Sequence, residues 1–390
     1  MLKSYACDPK DTKGRSYDDT STHYYHNEFE RDRNRIIRSS AFRRLQYKTQ
    51  VFINHEGDHY RNRLTHSIEV ASIARSICNL LGISSDLAEA ISLSHDLGHT
   101  AFGHTGELTL NNCMKKYGGF SHNYHAFKIV TELEERYASY NGLNLTWETL
   151  EGLLKHNGPI LDEAILPQYI LEYHNAHDMG LSLYSSAEAQ VASLSDDIAY
   201  VFHDIEDSIN ANLITIEQLC EINSIRDYIY LIKQTISTEI PKGRLIYEVG
   251  RKFMRDMICS LVSYTKYNIE FYKVETVYDI RHLGRSLVGM EQESLNNIKL
   301  IKDFLFDNVY NNPRLVRVTA ECNNIIESLF QIYSSDLTLL PVKWKMKMKD
   351  IDDLSCIMSV ISDYIAGMTD RFAVNEYRKF FKLDIKDLNL

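Results

Sequence analysis

The chain has little of what interrupts a helix: 6 prolines and 17 glycines in 390 residues. That argues against a body of many short, tightly turned strands and favours long helices. It also lacks any apolar run near the roughly 18 residues that a membrane span needs, so no bilayer-crossing helix is expected. Cysteine is sparse and scattered. Cys7, Cys78, Cys113, Cys220, Cys259, Cys322 and Cys356 are odd in number and include no C-x-x-C pair. This argues against a disulfide framework and a thiolate zinc site, and fits a reducing compartment. Met1-Leu2-Lys3-Ser4-Tyr5 has no basic segment followed by an apolar one, so no secretory leader is expected and the expected location is cytoplasmic. Positive charge is also in deficit. The 43 Lys and Arg stand against 53 Asp and Glu, for a net charge of -10. A bulk nucleic-acid binder is disfavoured on that ground.

What is present is enough apolar residue, 44%, for a large buried core in one domain or two. The basic side chains are unevenly spread. Residues 31–63 carry Arg31, Arg33, Arg35, Arg38, Arg43, Arg44, Lys48, Arg61 and Arg63 against only Asp32, Glu56 and Asp58. An anion can be received there, although a solvated helix face has the same composition.

Periodicity organises the rest. Residues 1–27 are polar and aperiodic and read as an extended arm. Glu28 to Gln50 reads as helix, with Ile36, Ile37, Ala41 and Leu45 on one side. Val51 to Tyr60 reads as a loop or small hairpin turning at Asn54-His55-Glu56-Gly57-Asp58. Leu64 to Leu81 repeats apolar residues at three- and four-residue steps, and Gly82 stands where a helix-ending glycine belongs. A second helix opens at Ser85 and ends by Gly98, which puts His95 and Asp96 in its last turn. Glu188 to Ile209 buries Val191, Leu194, Ile198, Phe202 and Ile205. Asp196, Tyr200 and Asp204, at four-residue steps, then share its polar face. Helical patterns continue over Tyr228–Ile240, Leu245–Tyr264, Glu291–Tyr310, Leu315–Tyr333 and Asp352–Ala373. The expected fold is all-α, with a catalytic half and a supporting half.

A histidine on a helix is ordinarily a core or surface residue. Here the ensemble matters, because eight of the 15 histidines lie between His55 and His125. His66, His95, Asp96 and an aspartate of Ser195-Asp196-Asp197 would give two imidazoles and two carboxylates. That mixed set suits Mn, Fe, Zn, Ni or Mg rather than copper or a thiolate cluster. Four ligands leave positions open for water and a phosphate oxygen.

The ordered words around these residues are more specific. They are Arg38-Ser39-Ser40-Ala41-Phe42-Arg43-Arg44-Leu45-Gln46-Tyr47-Lys48-Thr49-Gln50, Asn62-Arg63-Leu64-Thr65-His66-Ser67, His95-Asp96-Leu97-Gly98-His99 and Phe102-Gly103-His104-Thr105-Gly106-Glu107. Asp196-Asp197-Ile198-Ala199-Tyr200, Leu153-Leu154-Lys155-His156-Asn157 and Tyr364-Ile365-Ala366-Gly367-Met368-Thr369-Asp370 follow. Together they resemble the deoxyguanosine triphosphate triphosphohydrolase-like branch of the HD-domain phosphohydrolases, from about residue 30 to 375. The resemblance implies an HD-domain helical catalytic core extended by a C-terminal helical region. The divisions expected are an arm and first helix at 1–45, a catalytic core at 46–215 with the HD domain at about 62–198, and a C-terminal region at 216–390.

The implied activity is metal-dependent hydrolysis of a deoxynucleoside triphosphate to deoxynucleoside and inorganic triphosphate, by metal-activated water or hydroxide attacking the α-phosphorus. The implied metal ligands are His66, His95, Asp96 and Asp196; helical phase leaves Asp196 and Asp197 equivalent, and the resemblance selects the first. His99, His104, Glu107 and His122 are the implied catalytic set, with His104 or His122 as general acid, Glu107 orienting an imidazole and His99 on the α-phosphate. Arg63 is implied on the α-phosphate too. Gln50 and Val51 fall at substrate-binding positions, Gln50 at the sugar 3′-hydroxyl. Tyr200 would pack under the deoxyribose and Asp204 accept from its 3′-hydroxyl. Lys155, Arg43 and Arg44 are candidates for the triphosphate tail, which would bring its own Mg ion. A homo-oligomer built from dimers, up to a hexamer, and a nucleotide or single-stranded DNA regulator are further implications. Thr100-Ala101 replaces a more usual pair of prolines, and Ser121 and His125 stand where glutamate and glutamine are common. The alternatives are an HD hydrolase of another nucleotide (a monophosphate, a cyclic or a signalling nucleotide) and a non-catalytic nucleotide sensor.

Overall fold

The helices that open this chain are bounded by side chains that satisfy the end groups a helix leaves open. The computed structural model describes residues 2–18, 26–51, 60–236 and 240–381. Asn27 caps α1 (Glu28–Ile37) and forms a reciprocal box with Glu30. Ser39 caps α2 (Ser40–Arg44), so the helix expected over Glu28–Gln50 is two helices and a 3₁₀ turn at Leu45–Tyr47. Asn62 caps α3 (Arg63–Leu81), which ends on Gly82 at φ +73, a conformation that glycine adopts without steric cost. Ser84, one residue before the expected cap, starts α4 (Ser85–Ser94). Its run continues as a 3₁₀ turn, His95–Gly98. Most of the segment expected as a loop or hairpin, 52–59, lies outside the described residues.

Four shorter helices follow: α5 (Gly103–Met114), α6 (His122–Lys128), α7 (Trp147–Leu154) and α8 (Gln168–His177). The long α9 spans Ala187–Asn210. Beyond it lie α10 (Ile216–Leu219), α11 (Asn223–Thr235), α12 (Lys242–Phe271), α13 (Val277–His282) and α14 (Gln292–Leu305). A π turn, Phe306–Tyr310, extends α14. The chain then forms α15 (Pro313–Ser335), α16 (Val342–Lys347), α17 (Leu354–Ala366) and α18 (Asp370–Phe381). The single helix expected over Asp352–Ala373 is thus broken at Gly367–Thr369. Among the described residues the β-bridges, such as Arg15 to Thr146 and Thr49 to Asn62, are isolated. The fold is all-α, and no described helix is long and apolar enough to cross a membrane.

The centre is α3, α4 and α9. Val70, Ala74 and Ile77 of α3 share a core with Val191, Ile198 and Phe202 of α9 and with Ile246 and Phe253 of α12. Burying each large aliphatic side chain stabilises by about 1.5–3 kcal/mol. Gly250 lets α12 close on α9, since a Cβ there would fall 1.8 Å from the Phe202 ring. A separate core joins Ala101, Phe102 and Leu110 to Ile326 and Leu329 of α15 and Ile361 and Ile365 of α17. The N-terminal stretch lies across this body. Lys3 N donates to Gly82 O at 2.9 Å and Cys7 N to Glu188 Oε1 at 2.9 Å.

Candidate metal centre and active site

The opening turns of α3, the end of α4 and the middle of α9 bring His66, His95 and Asp196 together. One ligand atom from each lies within 4.8 Å of the others. His66 Nε2 is 2.8 Å from Asp196 Oδ1, and His95 Nε2 is 3.7 Å from the same oxygen. The two imidazoles are 1% and 3% exposed. His95 Nδ1 sits 2.6 Å from the carbonyl of Ser92 and must donate to it. That fixes the tautomer with a lone pair on Nε2 in the neutral ring. The same Nε2 is buried and has no hydrogen-bond partner. A buried acceptor nitrogen beside a carboxylate and a second imidazole fits a divalent cation of the borderline class.

Electrostatics point the same way. Burial lowers the His95 pKa, with Asp96 and Asp196 opposing it, so the neutral ring is favoured. Burial would also lower His66, but its hydrogen bond to Asp196 and the nearby carboxylate charges raise it. Burial alone would raise the Asp196 carboxyl; His95, His156 and His66 hold it well below the usual range. Asp96 lies beside this cluster, with Oδ1 3.4 Å from His95 Nε2. Both its oxygens accept from Arg63 Nη1 at 3.0 Å. His99 Nε2 lies 3.1 Å from Oδ1. Arg63 Nε and Nη2 are buried without a partner.

His99, His104, Glu107 and His122 form a second group within the same 4.8 Å limit. Glu107 is the hub. Its Oε1 accepts from His122 Nδ1 at 2.7 Å and from His122 N at 2.9 Å, and its Oε2 lies 3.2 Å from His104 Nδ1. Burial raises Glu107, but these two imidazoles outweigh it and keep the carboxylate ionised. His122 stacks on His99 with ring centroids 3.8 Å apart. His99 is buried, and burial together with Arg63 and His122 drives its pKa well down. Gly98 makes this approach feasible: a Cβ there would fall 1.9 Å from His122 O.

On the other side of Asp196, one turn and two turns along α9, stand Tyr200 and Asp204. Tyr200 OH is 2.6 Å from Tyr310 OH, and Tyr310 OH also donates to Asp204. Burial pushes the Asp204 carboxyl up to about 7, against the hydrogen bond from Tyr310. Gln50 is half-buried with Oε1 lacking a partner, and Val51 beside it packs partly on the main core.

The three cations suggested for a phosphate tail are placed differently. Lys155 is buried, 3.2 Å from Glu151 Oε1, and Arg281 holds the other Glu151 oxygen at 2.7 Å. Arg43 is exposed and donates to Arg38 O at 2.9 Å. Arg44 Nε is buried without a partner, near Glu134. Asp197, the neighbour of Asp196, instead pairs with Lys302 at 2.6 Å. Two residues belong to the site that sequence reasoning did not assign. His156 Nε2 is 3.5 Å from Asp196 Oδ2 and its ring stacks on His95 at 5.3 Å. Its signal was available, since it lies beside Lys155 in a word already singled out. Tyr310 had no such signal.

Two family models match the chain. Residues 63–201 match the HD domain, and residues 288–379 match the phosphohydrolase-associated domain. The first span holds both histidine groups; the second holds Tyr310. A deoxyguanosinetriphosphate triphosphohydrolase-like protein of Rickettsia akari (strain Hartford) is 52% identical over 388 residues, covering 100% of this chain and 98% of that protein. The protein of the same description from Rickettsia felis is 52% identical, covering 100% of each. The crystal structure of a hypothetical protein from Aquifex aeolicus aligns at 16% identity with a TM-score of 0.39, over 90% of this chain and 71% of that one. With full-length relatives at this identity, the chain belongs to the deoxyguanosinetriphosphate triphosphohydrolase-like family of HD-domain hydrolases.

Proposed function

We propose that the protein hydrolyses a deoxynucleoside triphosphate at its α-phosphorus, releasing deoxynucleoside and inorganic triphosphate. The observation that carries this reading is the join between the two histidine groups. Asp96 touches His95 on one side and His99 on the other, and Arg63 closes on it with two buried nitrogens to spare. A cation-holding group and a proton-holding group therefore flank one buried guanidinium. The relatives' name supplies the substrate class.

His66, His95, Asp96 and Asp196 would hold a divalent cation, which would supply Lewis acidity at the phosphorus. Arg63 and His99 orient the α-phosphate and offset the charge that develops on it. Water adds to the α-phosphorus and gives up a proton to solvent; the bond from phosphorus to the 5′-oxygen breaks, and the new oxygen leaves as part of inorganic triphosphate. The leaving oxygen takes a proton from His122, whose Nδ1 is fixed by Glu107. His104, held by the same carboxylate, keeps that proton in exchange with solvent. Tyr200 packs beneath the deoxyribose, where a 2′-hydroxyl would clash. Asp204 and Gln50 receive the 3′-hydroxyl, with Val51 alongside. The triphosphate tail would bring its own Mg ion.

The test is to incubate the protein with each dNTP and Mn or Mg, then separate the products. Inorganic triphosphate and deoxynucleoside are expected. Monophosphate with pyrophosphate would overturn the cleavage position. The placement of Lys155 inside the Glu151–Arg281 network favours a second reading, a nucleotide with a shorter phosphate chain. Turnover of deoxynucleoside monophosphates with none of any dNTP would select it.

A further inference from the structure

Asp370 opens α18 and is 1% exposed, and its hydrogen bonds run to Thr49 and Phe102 rather than to the histidine groups. Its carboxylate is divided between two other segments. Oδ2 accepts from Thr49 N at 2.8 Å and from Thr49 Oγ1 at 2.5 Å. Oδ1 accepts from Phe102 N at 2.8 Å. Thr49 precedes Gln50. Phe102 precedes Gly103, the first residue of the helix that carries His104 and Glu107. Nothing else among the described side chains ties these two segments to one acceptor.

The surroundings make the spacing tight. Phe102 holds φ +63, a left-handed conformation that is strained for a non-glycine residue. It caps α5 without a side-chain hydrogen bond of its own. Across the gap, a Cβ on Gly103 would fall 3.2 Å from Thr49 O and 2.9 Å from Arg63 Nη2. Lys48, one residue earlier, donates to Ala366 O at 2.9 Å and also to His99 O. The two segments therefore meet backbone to backbone, and the carboxylate fastens both from behind.

We propose that Asp370 is a positioning residue: one carboxylate from the C-terminal helices sets the distance between the Gln50 segment and the start of the helix bearing His104 and Glu107. This rests on the proposed reading of Gln50 as a sugar contact and of Glu107 as the anchor of the proton donor. Two backbone N–H donors and a hydroxyl converge on two oxygens that, in a carboxylate, only accept. An amide at this position turns an NH₂ toward a backbone N–H and releases one of the segments.

The test uses the full chain with Asp370→Asn, Thr49→Val and Thr49→Ser. Hydrogen exchange is followed by mass spectrometry over residues 46–51 and 100–106. The kcat and KM are measured for a dNTP and for its 3′-deoxy analogue. In Asp370→Asn, both segments should exchange at least about tenfold faster, with α9 and α12 unchanged. The kcat should fall by about 10- to 100-fold, the scale expected of an ångström-sized misplacement. The preference for the 3′-hydroxyl substrate should shrink with it. Thr49→Val should show the same pattern more weakly, and Thr49→Ser should restore it. Unchanged exchange in both segments overturns the proposal. So does faster exchange there with the wild-type preference retained. If Asp370→Asn unfolds, the Thr49→Val and Thr49→Ser pair decides by the same criteria. If the wild type hydrolyses no dNTP, the functional reading fails, and the exchange data alone still accept or reject the clasp.

Discussion

The two histidine groups stand a few ångströms apart but are built to opposite specifications. Around His66 and His95 almost everything is enclosed, and His95 Nε2 is left without a partner. Around Glu107 the ring of His104 is open, with 62% of its side chain exposed. The first group has its charge states set by burial and by fixed carboxylates. The second shares two imidazoles on one carboxylate within reach of solvent. An enclosed set of lone pairs suits a resident cation, whereas a shared, wet pair suits a proton that must come and go.

The largest effects should separate the two groups outright. Asp196→Asn and His95→Ala should each lower kcat/KM by more than about a thousandfold. Elemental analysis should find a divalent metal in the wild type and its loss in both variants. Full metal content in both variants would dissolve the contrast. His122→Ala and Glu107→Gln should lower kcat by about 10²–10⁴ and keep the metal. Metal loss in those variants would make the two groups one site.

A smaller effect lies on the sugar side. Asp204 is pushed up to about 7 by burial. The folded state therefore holds this proton more tightly than the unfolded chain. Stability from the group is full below the ordinary carboxyl range and is lost as pH rises through about 7. As an acceptor for a 3′-hydroxyl it strengthens in the opposite direction, so preference over the 3′-deoxy analogue should grow from pH 6 to pH 8. Tyr310→Phe removes a hydrogen bond that favours the ionised form, so it should move that midpoint upward. A pH-independent preference would exclude Asp204 from sugar recognition. The smallest effect is Asp197→Asn. The Asp197–Lys302 pair is 47% and 38% exposed, so its loss should cost no more than about 1 kcal/mol in thermal unfolding and leave metal content intact. Metal loss there would transfer the ligand role from Asp196 to its neighbour.

Much of this was legible because it is periodic. The apolar stripe of α9 fixed its phase, and four-residue spacing then put Asp196, Tyr200 and Asp204 on one face. The stripe of α3 and the glycine after it bounded that helix within a residue. What escaped had no period to carry it. Tyr310 meets Asp204 across 106 positions. His156 and His95 stack from different helix ends. Gly367-Met368-Thr369 reads as continuous helix until Asp370 is seen to be committed to Thr49 and Phe102. Lys155 looked like a free cation because Glu151, one turn earlier, gives no sign from sequence that Arg281 will share it.

The π turn at Phe306–Tyr310 has a consequence for how such a site arises. A π turn is an α-helix with one residue too many. Deleting a single codon upstream of Tyr310 would restore the regular helix and swing that phenol about 100° away from Asp204. The hydrogen bond between them thus depends on how many residues the turn holds as well as on which residues they are. Substitutions alone leave that dependence untouched.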